Sequence, residues 1–328
     1  MIRCAIVGAT GLVGSTFLKV LEEKNLPIDE YVLFASEKSK GKKITFFGKE
    51  YEVEVLNENS FNNNRFNYAL FSAGSLVSQT YAPVAVKNGC TVIDNSSFFR
   101  MNEDVPLIVP EVNPLSLYSN NGIISNPNCS TIQAVIPLKV LDRYYKLKRV
   151  IYSTYQAVSG AGIYGIQDLK NTSNGEKANR FPYPISNNCL PHIDVFLENG
   201  YTKEELKMIE ETKKILNLPN LNVTATCVRV PVLNCHCESI NVEFENEFDI
   251  MELIQVLNKS NGIVVLDDIN RNIYPIPTFV DEKDDVFIGR IRRDYSVKNG
   301  INFWCVADNI RKGAATNAVQ ILELIIKK

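Results

Sequence analysis

The chain has 328 residues, 45% of them hydrophobic and 22% charged, which is enough to bury a large core and to build two domains. Lysine and arginine number 35 against 37 aspartate and glutamate, and the net charge of −2 gives no overall field to draw in nucleic acid or an anionic membrane. No apolar run approaches the roughly 20 residues of a membrane helix, no signal segment precedes the first strand, and eight cysteines in a chain this long make no dense disulfide framework, so a cytosolic protein with reduced thiols and small-molecule partners is expected.

In chain order, Arg3-Cys4-Ala5-Ile6-Val7 reads as a short buried strand that runs into Gly8-Ala9-Thr10-Gly11-Leu12-Val13-Gly14 and then a helical pattern. Strand, glycine loop and helix in that order predict a dinucleotide site of the Rossmann kind. Glycines there let the backbone turn sharply and approach a pyrophosphate resting on the helix N-terminus. The alternative is a glycine-rich turn without a ligand. Val32–Ala35, Tyr68–Phe71 and Thr91–Asp94 follow as strands between helical segments, so residues 1–130 are expected to form a doubly wound parallel sheet. The Asn-rich stretch from Asn57 to Asn67 reads as a surface connection.

Asn126-Pro127-Asn128-Cys129-Ser130-Thr131 is a tight turn opening into the apolar helical pattern Ile132, Val135, Ile136, Leu138, Leu141. Unpaired N–H groups at a helix start favour negative charge and pull a cysteine below its free pKa of about 8.5, which makes Cys129 a candidate nucleophile. The alternative is an inert packing cysteine. Pro137 falls inside this helix and is expected to kink it. Longer strands then follow at Val150–Tyr155, Ala225–Val230 and Ser239–Phe244 and predict a second, mixed or antiparallel sheet. Polar sequence from Lys170 to Asn188 reads as a long loop or cover with no function assigned. A last helix, roughly Ala314–Ile326, carries Val319, Leu322 and Ile326 on one face and needs a surface to dock on.

His236 is one of two histidines, in Asn234-Cys235-His236-Cys237-Glu238. In extended chain Cys235 and Cys237 point to one face and His236 to the other, and no second cysteine pair completes a zinc set, so no metal is expected. A structural histidine and an acid–base partner for Cys129 both remain open. Thr202 with Glu205 reads as a capping box, and Glu204 with Lys207 as a solvent-facing helical pair.

Taken together, Gly8–Gly14, Ser72-Ala73-Gly74-Ser75, Pro127-Asn128-Cys129-Ser130, Tyr155-Gln156-Ala157-Val158-Ser159-Gly160-Ala161-Gly162, Cys227-Val228-Arg229 and Lys312-Gly313-Ala314-Ala315 resemble the aspartate-semialdehyde dehydrogenase family in order and spacing over essentially the whole chain. The resemblance implies NADPH-dependent reductive dephosphorylation of L-4-aspartyl phosphate to aspartate 4-semialdehyde, on the common route to lysine, threonine and methionine. It implies a homodimer built from an NADP-binding domain, 1–130, completed by a C-terminal helix, 312–328, and an α+β catalytic and dimerisation domain, 131–311. Cys129 would attack the acyl phosphate, His236 would be its acid–base partner, and Asn128 and Gln156 would help hold the oxyanion. Arg229 would grip the substrate carboxylate, Glu204 the ammonium, and Arg100 with Lys207 the phosphate. For Glu204 and Lys207 this overrides the solvent-facing reading.

The cofactor would lie on Gly8, Thr10, Gly11, Leu12, Val13, Gly14, Ser72, Ala73, Gly74, Ser159, Gly160 and Asn309. An NAD site presents an acid after the second strand, whereas NADP needs cations or hydroxyls. Ser36, Lys38, Ser39 and Lys42 fit the extra phosphate, Glu37 lies among them, and NADP is the expectation. The rivals are a reductase of N-acetylglutamyl phosphate, which has no free ammonium to bind, and a noncatalytic NADP-binding protein. A short-chain dehydrogenase would need a Tyr–Lys pair beside the nicotinamide, and Tyr144 with Lys148 has that spacing only by chance.

Overall fold

The computed structural model describes residues 1–327. They form two compact units, one of Met1–Pro127 together with the stretch from Ala314 onward, the other of Asn128–Gly313. The division falls between Pro127 and Asn128, so Cys129 belongs to the second unit instead of closing the first.

In the first unit β1 (Arg3–Val7), β2 (Glu30–Ala35), β5 (Glu54–Val55), β6 (Tyr68–Phe71), β7 (Thr91–Asp94) and β8 (Ile123–Ser125) make one parallel sheet in the order β5-β2-β1-β6-β7-β8. A separate hairpin joins β3 (Lys43–Phe46) to β4 (Lys49–Glu52). Strand side chains alternate between faces, so Cys4 and Ile6 pack with Phe17, Leu21 and Leu33, and Ala5 and Val7 with Phe34, Phe61 and Phe71. The first face carries α1 (Leu12–Lys24) and the last helix, Thr316–Ile326, whose Val319 and Leu322 are fully buried. The last helix thus begins two residues later than expected, after a π-helical turn over Arg311–Ala315. Phe61 and Phe66 anchor the Asn57–Asn67 stretch in the core, so it is more than a surface connection. β2 and β6 flank β1 on opposite sides, which places the topological switch, the usual ligand position of such a sheet, at the C-terminal end of β1.

The second unit is built on a mixed sheet, β10-β9-β11-β14-β13-β12. Its strands are β9 (Leu147–Gln156), β10 (Asn222–Arg229), β11 (His236–Phe244), β12 (Ile263–Val265), β13 (Val286–Asp294) and β14 (Gly300–Ala307). β9 pairs parallel with β10 and antiparallel with β11. The helices α3 (Cys129–Tyr145) and α5 (Lys203–Leu216) pack on this sheet and on each other. α3 runs through Pro137 as one helix. A proline cannot bond the carbonyl four residues back, here that of Gln133, and Cys305 Sγ donates to that carbonyl instead at 3.7 Å. α4 (Ile163–Ser173) takes in the first residues of the polar 170–188 stretch, which is therefore helical at its start. The remainder folds around Asp168, a buried carboxylate that accepts the amides of Asn179, Arg180 and Phe181 at 2.7–2.9 Å.

Candidate active site

At the end of β1, Gly8 has φ +91°, a conformation glycine tolerates, and a Cβ there would lie 2.5 Å from the Ser72 carbonyl oxygen. A Cβ on Gly14 would meet the Gly8 carbonyl oxygen at 2.0 Å, so the first turn of α1 packs directly on the loop. Gly11 precedes α1 and Gly74 precedes α2 (Ser75–Lys87), and neither helix has a side-chain cap. Two helix N-termini free of side-chain caps suit a pyrophosphate. Thr10 Oγ1 lies 3.2 Å from Ser39 Oγ and ties the glycine loop to the turn after β2. In that turn Ser36, Glu37 and Lys38 are exposed, and Glu37 is paired with Lys40 at 3.4 Å. Arg100, also in this unit, is buried and donates through Nη2 to the Asn95 carbonyl at 2.9 Å.

In the second unit Cys129 is the first residue of α3 and partly exposed. Asn128 caps the helix: its Oδ1 accepts from the amides of Ser130 at 3.0 Å and Thr131 at 3.3 Å. Two of the N–H groups expected to be open at Cys129 are thus taken by the cap, and the helix dipole remains as the source of positive potential. Asn128 is held in turn from α5, its amide N–H donating to Glu211 Oε2 at 2.6 Å and its Nδ2 to Glu204 Oε1 at 2.9 Å. Gln156 Nε2, at the end of β9, reaches Thr154 Oγ1 at 3.2 Å and Glu204 Oε1 at 3.3 Å.

Glu204 therefore faces inward. It is 5% exposed, and Lys207 Nζ is shared between Glu204 Oε2 at 3.1 Å and Asp194 Oδ2 at 2.7 Å. The solvent-facing pair suggested by helical spacing is corrected, while the capping box is present as expected. Burial alone would raise the Glu204 carboxyl, but Lys207, the Asn128 amide and Arg229 hold it below its usual range. Burial would lower Lys207, and its two carboxylates hold it up.

Arg229, at the end of β10, is buried, which pushes its guanidinium down against the opposing charges of Glu204 and Cys129. Its Nη1 donates to the Ala157 carbonyl at 2.6 Å. The amide of the same Ala157 donates to His236 Nδ1 at 3.0 Å. Ser159 and Asn309 are brought together, Asn309 Nδ2 donating to Ser159 Oγ at 3.1 Å, and Asn309 Oδ1 accepts the Cys235 amide at 2.9 Å. That bond fixes the left-handed turn at Cys235, φ +70°, ahead of His236. Cys235 does not share a site with Cys237: its Sγ lies with carboxylate oxygens of Asp281 and Asp308, all within 4.8 Å. Asp308 is occupied there by the amides of Glu282, Ile310 and Arg311, the bonding of a turn. All eight cysteines are free.

Sequence reasoning missed Glu211, Thr154, Asp194 and Ala157. A signal existed for Glu211, because Glu204, Met208, Glu211 and Ile215 follow one another at helical spacing on the buried face of α5. Asp194 and Ala157 gave none, since one acts from a distant loop and the other through its backbone.

The family model described as "Semialdehyde dehydrogenase, NAD binding domain" matches residues 3–119, and "Semialdehyde dehydrogenase, dimerisation domain" matches residues 138–312. Aspartate-semialdehyde dehydrogenase of Aquifex aeolicus is 55% identical over 99% of this chain and 98% of its own length. Aspartate semialdehyde dehydrogenase II of Vibrio cholerae, whose structure is also known complexed with ASA, superposes with a TM-score of 0.96 at 45% identity, covering 100% of this chain and 99% of its own. The Candida albicans aspartate semialdehyde dehydrogenase with NADP superposes with a TM-score of 0.78 at 26% identity, covering 99% of this chain and 98% of its own. Parallel nucleotide sheet, mixed second sheet and full-length similarity agree, and the chain belongs to the aspartate-semialdehyde dehydrogenase family, oxidoreductases of amino-acid biosynthesis that use a nicotinamide cofactor.

Proposed function

We propose that the chain catalyses reductive dephosphorylation of L-4-aspartyl phosphate to aspartate 4-semialdehyde with NADPH, in the cytosol, on the route to lysine, threonine and methionine, and that it works as a homodimer. The observation that carries this reading is the Glu204 carboxylate held by Asn128, Gln156 and Lys207 beside the helix that starts at Cys129. A buried carboxylate kept ionised there suits a substrate ammonium, which an N-acetylated substrate lacks.

In this mechanism Cys129 attacks the acyl phosphate as thiolate, phosphate departs, and a thioester remains. Asn128 and Gln156 lie on the oxyanion side, Arg229 grips the α-carboxylate through its planar fork, and Lys207 and Arg100 take the phosphate. The cofactor supplies hydride when bound. Gly8, Thr10, Gly11, Leu12, Val13, Gly14, Ser72, Ala73 and Gly74 would hold its pyrophosphate side, Ser36, Lys38 and Ser39 its ribose phosphate, and Ser159, Gly160 and Asn309 its nicotinamide side. The close backbone approaches at Gly8 and Gly14 fit that assignment. The Candida albicans relative with NADP supports the choice of NADP.

The test is reduction of NADP with aspartate semialdehyde, with and without phosphate, beside the N-acetylglutamate analogue. Phosphate-dependent reduction with the first substrate is expected, and preference for the second would overturn the assignment.

A further inference from the structure

We propose that Phe181 is a positioning residue for Arg229: carried by the turn that Asp168 organises, its ring covers one face of the guanidinium and leaves the Nε edge open to the substrate carboxylate. The inference rests on the carboxylate role proposed above for Arg229, and it gives the polar stretch after α4 a part in substrate recognition.

Asp168 fixes where the ring goes. It is 1% exposed on α4 and accepts the amide of Asn179 on Oδ1 at 2.9 Å and those of Arg180 and Phe181 on Oδ2 at 2.7 and 2.9 Å. Burial alone would raise its carboxyl, but these amides and the Arg180 charge hold it below its usual range, so the turn is built around an anion. Three N–H groups on one carboxylate leave the backbone at Phe181 little freedom. Its side chain, partly buried, packs on the apolar cluster of Val158, Ile185 and Leu190.

The same segment returns to Arg229 along the backbone. Leu190 donates its amide to the Arg229 carbonyl at 2.9 Å and accepts the Arg229 amide at 2.8 Å, an antiparallel bridge at the end of β10. Arg229 is therefore held at its main chain by Leu190 and faced at its side chain by Phe181. The Arg229 Cζ lies 6.0 Å from the ring centroid, the outer limit of a cation–π contact.

A ring on the face competes for none of the donors. The five N–H groups of a guanidinium lie in its plane, whereas an aromatic ring attracts the cation from above through its negative face. Arg229 Nη1 is taken by the Ala157 carbonyl at 2.6 Å, and Nε is buried with no hydrogen-bond partner among the described residues. A buried N–H left unpaired is destabilising, so this edge is set for an acceptor that arrives with the substrate. A carboxylate approaching side-on takes Nε and Nη2 as two parallel bonds.

The residue type suits the task. Water on that face would raise the local dielectric and weaken the attraction between guanidinium and carboxylate. A protein carboxylate there would pair with Arg229 and compete with the substrate. An aromatic ring excludes the water and steadies the cation without neutralising it.

Two measurements on the full chain test this. Hydrogen exchange of the Arg229 Nε–H, its NMR signal identified by loss in Arg229→Gln, should speed at least about tenfold in Phe181→Ala and stay at the wild-type rate in Phe181→Tyr. In turnover with aspartate semialdehyde, Phe181→Ala should lose about 3- to 10-fold in kcat/KM, chiefly through KM, the scale of a partly desolvated cation–π contact, with Phe181→Tyr close to wild type. In the Arg229→Gln background the same substitution should change kcat/KM by less than about twofold, because the ring has lost its partner. Where Phe181→Ala fails to fold, Phe181→Leu keeps the apolar packing and removes the ring face, and the same loss, absent in Arg229→Gln, is expected of it. Unchanged Nε–H exchange, an equal loss in both backgrounds, or a tyrosine variant no better than alanine would overturn the proposal. Failure of the wild-type enzyme to use aspartate semialdehyde would count against the reaction assigned above, and the exchange rates would still decide whether Phe181 covers Arg229.

Discussion

Asn128 Nδ2 donates to Glu204 Oε1 at 2.9 Å while Oδ1 of the same side chain caps the helix that begins at Cys129. One amide thus links the orientation of the carboxylate to the start of the nucleophile's helix. Asn128→Ala removes the cap and should cost about 1 kcal/mol of stability. Asn128→Asp keeps the cap acceptor but sets a second carboxylate against Glu204. Thermal unfolding should therefore favour aspartate over alanine, and kcat/KM the reverse; an aspartate variant with wild-type kcat/KM would show that the Nδ2 contact is dispensable.

Arg229→Lys keeps the charge but loses the fork that binds a carboxylate through two parallel N–H groups. Loss of one charge-assisted contact corresponds to about 10- to 150-fold in kcat/KM. Part should appear in kcat, since a misplaced carboxylate also misaligns the carbonyl. Near-normal kcat/KM in a folded Arg229→Lys enzyme would leave Arg229 as a support for the Ala157 carbonyl alone.

Glu238 is fully buried on β11, and neither carboxylate oxygen has a partner among the described residues. Burial, with Glu204 adding to it, raises its carboxyl well above the usual range. Above an unfolded pKa of about 4.3 the folded chain keeps a proton that the unfolded chain releases, so this residue makes stability fall as pH rises, up to its folded pKa. Glu238→Gln should then be more stable than wild type at neutral pH and lose that part of the pH dependence. Melting temperatures at about pH 5 and about pH 8 decide it, and a variant less stable at the higher pH would mean that Glu238 is ionised and paired.

Much of this architecture was legible in the sequence because local rules and packing agreed. The strands at Arg3–Val7, Tyr68–Phe71 and Thr91–Asp94 lie where their apolar runs placed them. The second sheet was recognisable from β-branched runs, though not its strand order, which depends on pairings between distant segments. How the helix continues through Pro137 was not legible, because the proline's cost is local while the thiol that satisfies the Gln133 carbonyl comes from β14. Glu204 and Lys207 misled for the opposite reason: their spacing is that of a surface pair, and only the packing of α5 on α3 turns Glu204 inward. Ala157 was beyond reach, since its contribution to His236 is a backbone N–H that every residue but proline has.

Cofactor preference follows from the turn after β2, where Lys38 is exposed and Glu37 is drawn toward Lys40. Wild type should prefer NADP to NAD in kcat/KM, and Lys38→Ala should narrow the difference by up to about tenfold, the scale of a partly solvated ionic contact. A wild-type preference for NAD would mean that Glu37 governs the ribose.

Intact-mass spectrometry of the enzyme mixed with L-4-aspartyl phosphate in the absence of cofactor tests the central claim, a thioester on Cys129, most directly. An adduct of one aspartyl group is expected, mapped by digestion to Cys129, lost in Cys129→Ala, and discharged when NADPH is added. No adduct in the wild type, or an adduct that persists in Cys129→Ala, would contradict it.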